Sequence, residues 1–281
     1  MEYALEIKNL TKKYSGFKLD NVNITLPTGC IMGLIGENGA GKSTTIKLIL
    51  DLIHRDSGTI TILGEDNKKD LKAAKEDLGV VMDESCFPEN LNIKDINKIL
   101  KNIYKNWSEE DFKTYTKRFD LPQQKIMKEY SRGMKMKLNI AVALSHKPKL
   151  LILDEATSGL DPVVRDEILD VFLEFIQDED HSILMSSHIL SDLEKACDYI
   201  TFLHKGKVIF SEIKDDLIEN YGILKCSAEE LDKINSSAIK GCRKNKFGVE
   251  ALVLKNELKG NYTVDRVSIE DIMLYYIKEA V

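Results

Sequence analysis

The segment Gly36-Glu37-Asn38-Gly39-Ala40-Gly41-Lys42-Ser43 has the pattern G-x-x-x-x-G-K-[ST]. In this pattern the backbone amides surround the phosphates of a nucleotide, because glycine allows their N–H groups to approach oxygen closely. Apolar residues 30–35 predict a buried strand before the loop, and helical spacing predicts a helix over residues 43–53 after it. This strand–loop–helix order indicates a phosphate-binding site at a helix N-terminus.

Each position of this loop has an expected contact with the nucleotide. We expect the Lys42 ammonium to meet the β- and γ-phosphates and the Ser43 hydroxyl to bind Mg²⁺. The remaining loop positions that we predict to bind the nucleotide are Gly36, Glu37, Asn38, Gly39, Ala40, Gly41 and Thr44.

The composition is that of a folded chain. A length of 281 residues with 43% hydrophobic content is enough for one large domain with an appendage or for two domains. The 40 basic and 46 acidic residues are mixed along the chain and give a formal charge of −6, so we predict no nucleic-acid partner. The cysteines are odd in number and lack a C-x-x-C pair, which argues against a disulfide framework or a zinc site.

The hydropathy pattern predicts no membrane span and no secretion signal. The longest apolar stretches fall short of the roughly 20 residues that cross a bilayer. The first residues lack the basic and then apolar regions of a secretion signal. We therefore expect a cytoplasmic protein.

Alternating strand and helix patterns predict an α/β fold with a mostly parallel sheet. Alternation over residues 4–26 predicts antiparallel strands around a turn at Ser15-Gly16, and residues 92–130 have the helical spacing of an inserted lobe. The other predicted elements are strands at 57–64, 78–82, 150–153 and 182–186 and helices at 162–177 and 269–278. We predict a nucleotide-binding domain over 1–216, with its helical subdomain at about 85–145, and a small α/β appendage over 217–281.

Two carboxylates follow the apolar strand at residues 150–153. Acids at a strand end are often merely solvated, but the phosphate-binding loop upstream favours a functional interpretation. We expect Asp154 to steer Mg²⁺ and Glu155 to orient and deprotonate the water that attacks the γ-phosphate.

The order of several short motifs resembles the ATP-binding subunits of ABC transporters over about residues 5–211. Tyr130-Ser131-Arg132-Gly133-Met134 is similar to the family signature, Ser158-Gly159-Leu160-Asp161 to its D-loop, and Ser187-His188 to its switch histidine. The resemblance implies a P-loop NTPase fold with an antiparallel β subdomain, ATP and Mg²⁺ as cofactors, and a head-to-tail dimer with two composite sites.

The resemblance also implies roles for residues outside the loop. Tyr14 resembles the aromatic residue that stacks on adenine, and His188 the residue that senses the γ-phosphate. The further residues implied to contact nucleotide, across the dimer interface, are Ser131, Arg132, Gly133 and Asp161.

Three positions depart from the family pattern. Asp83, followed by Glu84, stands where the family usually has glutamine, so either Asp83 reaches Mg²⁺ through water or Glu84 takes over this role. Arg132 replaces a common glycine and Met134 a common glutamine. This degenerate signature resembles that of bacterial exporters of drugs and antimicrobial peptides.

The resemblance therefore implies an ATPase that drives a separate integral membrane permease, paired with a second copy of itself or a homologous subunit. The permease would grip a groove near residues 85–95 and hold the protein at the inner face of the cell membrane. The main alternative is a soluble ABC-type ATPase acting on ribosomes or DNA. A small-molecule kinase and a nucleotide-gated regulatory module are weaker alternatives, because the first needs no signature and the second needs no catalytic residues.

Overall fold

The computed structural model describes residues 2–68, 75–83, 87–246 and 248–279. Packing divides the chain into two compact units, Met1–Ile209 and Phe210–Val281. The division lies before the predicted boundary at residue 216, which falls inside a helix at Lys214–Asn220. Among the positions raised by the sequence, Glu84, Ser85 and Cys86 lie outside the described residues.

The first unit contains an antiparallel sheet and a larger sheet. Its described strands, the last of which continues into the second unit, are β1 (Tyr3–Tyr14), β2 (Phe17–Pro27), β3 (Ile31–Ile35), β4 (Ser57–Ile62), β5 (Glu65–Asp66), β6 (Leu78–Val81), β7 (Leu150–Asp154), β8 (Ser182–Ser186), β9 (Tyr199–His204) and β10 (Lys207–Ile213).

The antiparallel sheet has the order β2-β1-β4-β5. Strands β1 and β2 pair up to the turn at Ser15-Gly16, as the alternation predicted. In β2, Val22, Ile24 and Leu26 are buried while the residues between them are exposed, so one face packs on the core.

The larger sheet has the order β10-β9-β3-β8-β7-β6, and the pairs from β9 to β6 are parallel. Strands β3, β7 and β8 are buried along their whole length, which explains why they appear as continuous apolar runs. Because parallel strands end at the same edge, the segments after these three strands meet there. These segments carry the loop at residues 36–43, the pair Asp154-Glu155 and the pair Ser187-His188.

The described helices of the first unit are α1 (Lys42–Ile49), α2 (Ile93–Lys101), α3 (Glu109–Arg118), α4 (Arg132–Ser145), α5 (Pro162–Phe175) and α6 (Leu190–Ala196). The prediction that α1 extends to Ile53 was wrong. Leu50 forms its C-cap, and Asp51 takes a left-handed φ of 53°, which cannot continue a right-handed helix.

Helices α2, α3 and α4 form the predicted helical lobe. Helix α2 begins with a capping box between Asn92 and Asp95 and buries Ile93, Ile96 and Leu100. Ile99, which shares the helical spacing of these residues, is 44% exposed, and Ile103, beyond the helix end, is 61% exposed. The buried face is therefore narrower than the sequence pattern indicated.

His146 joins this lobe to the segment before β6. Its ring stacks on Tyr104 with centroids 4.2 Å apart, and its Nδ1 lies 3.0 Å from the carbonyl oxygen of Glu76. Burial lowers the pKa of His146, and the nearby carbonyl only partly opposes this effect. The imidazole is therefore held in its neutral form.

The second unit is a small α/β fold. Its strands β11 (Tyr221–Cys226), β12 (Ile239–Asn245), β13 (Gly248–Leu254) and β14 (Val264–Asp265) form an antiparallel sheet of order β12-β13-β11-β14. Its helices are α7 (Lys214–Asn220), α8 (Ala228–Leu231) and α9 (Ile269–Glu279), and α9 packs against β12. In the described parts of both units, no helix has the length and apolar character needed to span a bilayer.

The pH dependence of stability tests the neutral state of His146. Unfolding restores a pKa of about 6.5, so the unfolded chain binds more protons and stability falls as the pH falls through this window. We expect His146→Asn to reduce the loss of unfolding free energy between about pH 7 and pH 5, measured by urea titration. His54→Asn is the control for replacing a histidine, because 86% of the His54 side chain is exposed. Equal slopes in the wild type and His146→Asn would contradict the assignment.

Candidate nucleotide-binding and hydrolytic site

Two glycines of the loop at residues 36–43 are required by its geometry. A Cβ at Gly36 would lie 2.3 Å from the carbonyl oxygen of Leu203, so the loop packs directly on the end of β9. Gly41 has a φ of 115° and forms the N-cap of α1, a conformation that other residues rarely adopt. The loop is thereby held against the sheet with the N-terminus of α1 facing the site.

The loop lines a cavity of about 520 Å³. The lining residues are Phe17, Glu37, Asn38, Gly39, Gly41, Lys42, Ser43, Thr44, Asp83, Glu155, Ser158 and His188. Gly36 and Ala40 belong to the same loop and are buried. The structure therefore brings most of the predicted phosphate-binding residues together with the predicted base and the switch histidine.

Lys42 is the buried cation of this cavity. Its Nζ donates a hydrogen bond to the carbonyl oxygen of Gly36 at 2.8 Å and lies 3.8 Å from Glu155 Oε1. Only 6% of the side chain is exposed, so its attraction for a phosphate is weakly screened by water.

Asp154 is 5% exposed and contacts the cavity through Ser43. Its Oδ1 accepts a hydrogen bond from Ser186 Oγ at 2.7 Å and one from Ser43 Oγ at 3.3 Å. The Ser43 hydroxyl and the Asp154 carboxylate are hard oxygen donors, which fit Mg²⁺ bound by few protein ligands together with substrate phosphates. Sequence reasoning missed the supporting role of Ser186, whose only sign was its place at the end of a predicted strand.

Glu155 is fixed by contacts with the end of β8 and with a histidine. Its backbone N–H donates to both the carbonyl oxygen and the hydroxyl of Ser186, at 3.2 and 3.1 Å. His188 Nδ1 lies 2.6 Å from Glu155 Oε2, so the imidazole orients the carboxylate. Glu155 also has a left-handed φ of 54°, an unfavourable conformation for a residue with a side chain.

The end of β9 and the turn that follows it support the loop. His204 is 5% exposed, and its Nδ1 lies 3.0 Å from Glu37 Oε1, although this contact lacks the alignment of a hydrogen bond. The N–H of Gly206 donates to the carbonyl oxygen of Ala40 at 3.0 Å. No local sequence pattern indicates this support, because these residues are distant from the loop along the chain.

The two aromatic residues of the β1–β2 hairpin differ in position. Tyr14 is 47% exposed and lies under the Lys12 ammonium, 5.5 Å from its ring centroid. Phe17, its partner across the hairpin, lines the cavity. Tyr14 remains the sequence candidate for adenine stacking, and Phe17 is a second candidate that the motif search missed.

The signature residues line a different cavity, of about 330 Å³. Ser131 caps α4 by accepting a hydrogen bond from the N–H of Met134 at 3.2 Å, and Asp161 caps α5 by accepting from Val163 and Val164 at 3.1 Å. Ser131, Gly133 and Asp161 all line this second cavity. Within one chain, they do not line the cavity of Lys42 and Ser43.

Asp83 and Arg132, two of the positions that depart from the family pattern, contact each other. Arg132 Nη2 donates to Asp83 Oδ1, and both side chains are about half exposed. Asp83 also lines the cavity of Lys42, so a contact with a metal-bound water is geometrically compatible. The alternative residue, Glu84, lies outside the described part of the chain.

The parallel sheet, the glycine-rich loop and the acidic pair define a P-loop NTPase fold. The ABC transporter family profile matches residues 19–158. The bacitracin transport ATP-binding protein BcrA of Enterococcus faecalis is 34% identical over 74% of this chain and 69% of its own length. The lantibiotic transport ATP-binding protein SrtF of Streptococcus pyogenes is 37% identical over 75% of this chain and 91% of its own.

Solved structures agree with this assignment. An ATP-binding subunit of an ABC transporter has a TM-score of 0.70 and 30% identity, covering 77% of this chain and 92% of its own. A dimeric ATP-binding cassette bound to ADP and Pi, at 21% identity, shares the fold with a TM-score of 0.66 over 74% of this chain and 98% of its own. The chain belongs to the ATP-binding subunits of ABC transporters. It binds and hydrolyses ATP.

The left-handed backbone of Glu155 makes a stability prediction. We expect Glu155→Gly to be more stable than Glu155→Ala by about 0.5–1 kcal/mol. Both variants lose the carboxylate, but the left-handed φ is unfavourable only for alanine. Thermal unfolding of the two variants measures the difference. The control is the same pair of substitutions at Lys113, an exposed position inside α3, where glycine should instead be less stable by about 1 kcal/mol. The same order at both positions would contradict the prediction.

Proposed function

We propose that two protomers close head-to-tail around two ATP molecules and thereby drive a separate membrane permease. The observation that carries this proposal is the separation of the two cavities within one chain. One cavity has the Lys42 loop and the catalytic candidates, whereas the other has Ser131 and Gly133 at the N-terminus of α4. A helix N-terminus with free amides suits an anion, and a second copy can supply that anion.

In this scheme the nucleotide has contacts from two protomers. The loop at residues 36–44 and Lys42 bind the phosphates on one side, and Ser131, Arg132 and Gly133 of the other copy contact them from the opposite side. Asp161 supports the cavity of Ser131 and Gly133 by capping the start of α5. Closure of the dimer therefore depends on the γ-phosphate, and its loss on hydrolysis removes contacts that hold the protomers together.

The hydrolytic step uses residues at the ends of β7 and β8. Glu155 orients the attacking water and accepts its proton, while His188 holds the carboxylate in place through their 2.6 Å contact. Mg²⁺, held by Ser43 and Asp154, would supply charge neutralisation at the phosphates. Lys42 stabilises the negative charge on the transferred group from within the loop.

The cargo is inferred from relatives. The named relatives transport bacitracin and lantibiotics, which are peptide antibiotics. We infer that this subunit powers export of a peptide, drug or lipid-like compound of that kind. It would then act at the inner face of the cell membrane, held there by its permease through a groove that includes residues 87–95.

Dimer formation tests the composite sites. Glu155→Gln should bind ATP and lower the hydrolysis rate by about 10²–10⁴-fold, because the water loses its base. Gel filtration with ATP and Mg²⁺ should then show a dimer. The control is Lys42→Ala combined with Glu155→Gln, which lacks the phosphate contact and should remain monomeric. Elution of Glu155→Gln as a monomer in saturating ATP and Mg²⁺ would contradict the closed dimer.

Antibiotic sensitivity tests the proposed cargo. Cells that lack the gene should become more sensitive to bacitracin or a lantibiotic, and wild type but not Glu155→Gln should restore resistance. The measurement is the minimal inhibitory concentration, with a ribosome-directed antibiotic as the matched control compound. A change confined to the ribosome-directed compound would instead support the soluble ATPase that acts on ribosomes.

A further inference from the structure

We propose that Arg132 is a positioning residue for the nucleotide site of its own chain, where it offsets the charge of Asp83. The inference deepens the proposed function, since it concerns ATP binding at the Lys42 cavity. It does not require the dimer. It assigns to Arg132 a role within one protomer, in addition to the contact across the interface that the signature implies.

The first support is the position of Asp83. It follows β6 and lines the same cavity as Lys42, Ser43 and Glu155. A nucleotide bound there brings several negative charges to the cavity. A carboxylate at this position, where the family usually has a neutral glutamine, therefore opposes binding unless a cation neutralises it.

The second support is the contact made by Arg132. The guanidinium donates to Asp83 Oδ1 from the first turn of α4, which belongs to the helical lobe. Its other face lies against Gly159 of the D-loop, where a Cβ would come within 2.5 Å of Nη1. Arg132 is therefore placed between the end of β6 and the D-loop, and the glycine leaves room for it.

The third support is the pairing of Glu155, another carboxylate that lines the cavity. Its Oε1 lies 3.8 Å from the Lys42 ammonium. Arg132 is the cation that pairs with Asp83. The two departures from the family pattern thus compensate each other, because one adds a negative charge and the other a positive one.

The simpler interpretation is an ion pair on the surface without a role. Both side chains are about half exposed, and such pairs contribute little to stability. The two interpretations differ in what they predict. A compensating pair changes nucleotide affinity with little change in the unfolding temperature, and loss of the cation is rescued by loss of the acid.

A double-mutant cycle tests the pair. The variants are Asp83→Asn, Arg132→Gln and the combination, and the probe is a fluorescent ATP analogue titrated in EDTA onto dilute protein, so that neither hydrolysis nor dimer closure contributes. We expect Arg132→Gln to weaken binding about three- to tenfold, since it leaves Asp83 unpaired beside the phosphates. Asp83→Asn should bind at least as tightly as the wild type. The combination should return to within about twofold of Asp83→Asn.

Two controls accompany the cycle. Arg132→Lys retains the charge and should bind within about twofold of the wild type. Arg118→Gln removes the arginine of another surface pair, with Glu174, which does not line the cavity, and should leave affinity unchanged. Thermal unfolding of every variant confirms that the folded state is retained.

Unchanged affinity in Arg132→Gln, or a combination as weak as Arg132→Gln alone, would overturn the inference. Either result is independent of the gel-filtration test. A Glu155→Gln protein that stays monomeric while the rescue is observed would contradict the dimer but leave this pair intact. A dimer without rescue would contradict the pair alone.

Discussion

The hydrogen bond from Ser186 to Asp154 is the contact on which the site depends. The two residues are register partners at the carboxyl ends of β7 and β8, so the bond forms only if these buried strands pair as they do. The same Asp154 oxygen also accepts from Ser43 at the start of α1. One carboxylate thus ties two central strands to the phosphate-binding loop, and the N–H of Glu155 adds a second tie through Ser186.

Much of this arrangement could be predicted from the sequence because its determinants are local. The phosphate-binding loop, the apolar strands and the acids after β7 can each be recognised from a pattern of a few consecutive residues. The parallel sheet then brings distant segments to one edge without further information. The length of α1 was predicted less well, because Asp51 and its left-handed φ have no strong local pattern.

The parts that sequence reasoning missed depend on contacts between distant segments. His204 reaches Glu37, Gly206 binds Ala40, and Phe17 enters the cavity from a hairpin whose neighbouring tyrosine matched the family pattern. The contact between Asp83 and Arg132 belongs to the same group. Each residue was recognised as unusual by itself, but only the fold shows that the two charges meet.

The left-handed backbone at Glu155 has a consequence for variation at this position. A side chain branched at Cβ clashes with the backbone at positive φ, whereas glycine, asparagine and aspartate accept it readily. The backbone conformation therefore restricts which residue types can replace glutamate here, whatever the chemistry of their side chains. Replacement of this glutamate is therefore limited to a few residue types. A homologue that carries one of them can keep the conformation of this turn after it has lost hydrolytic activity.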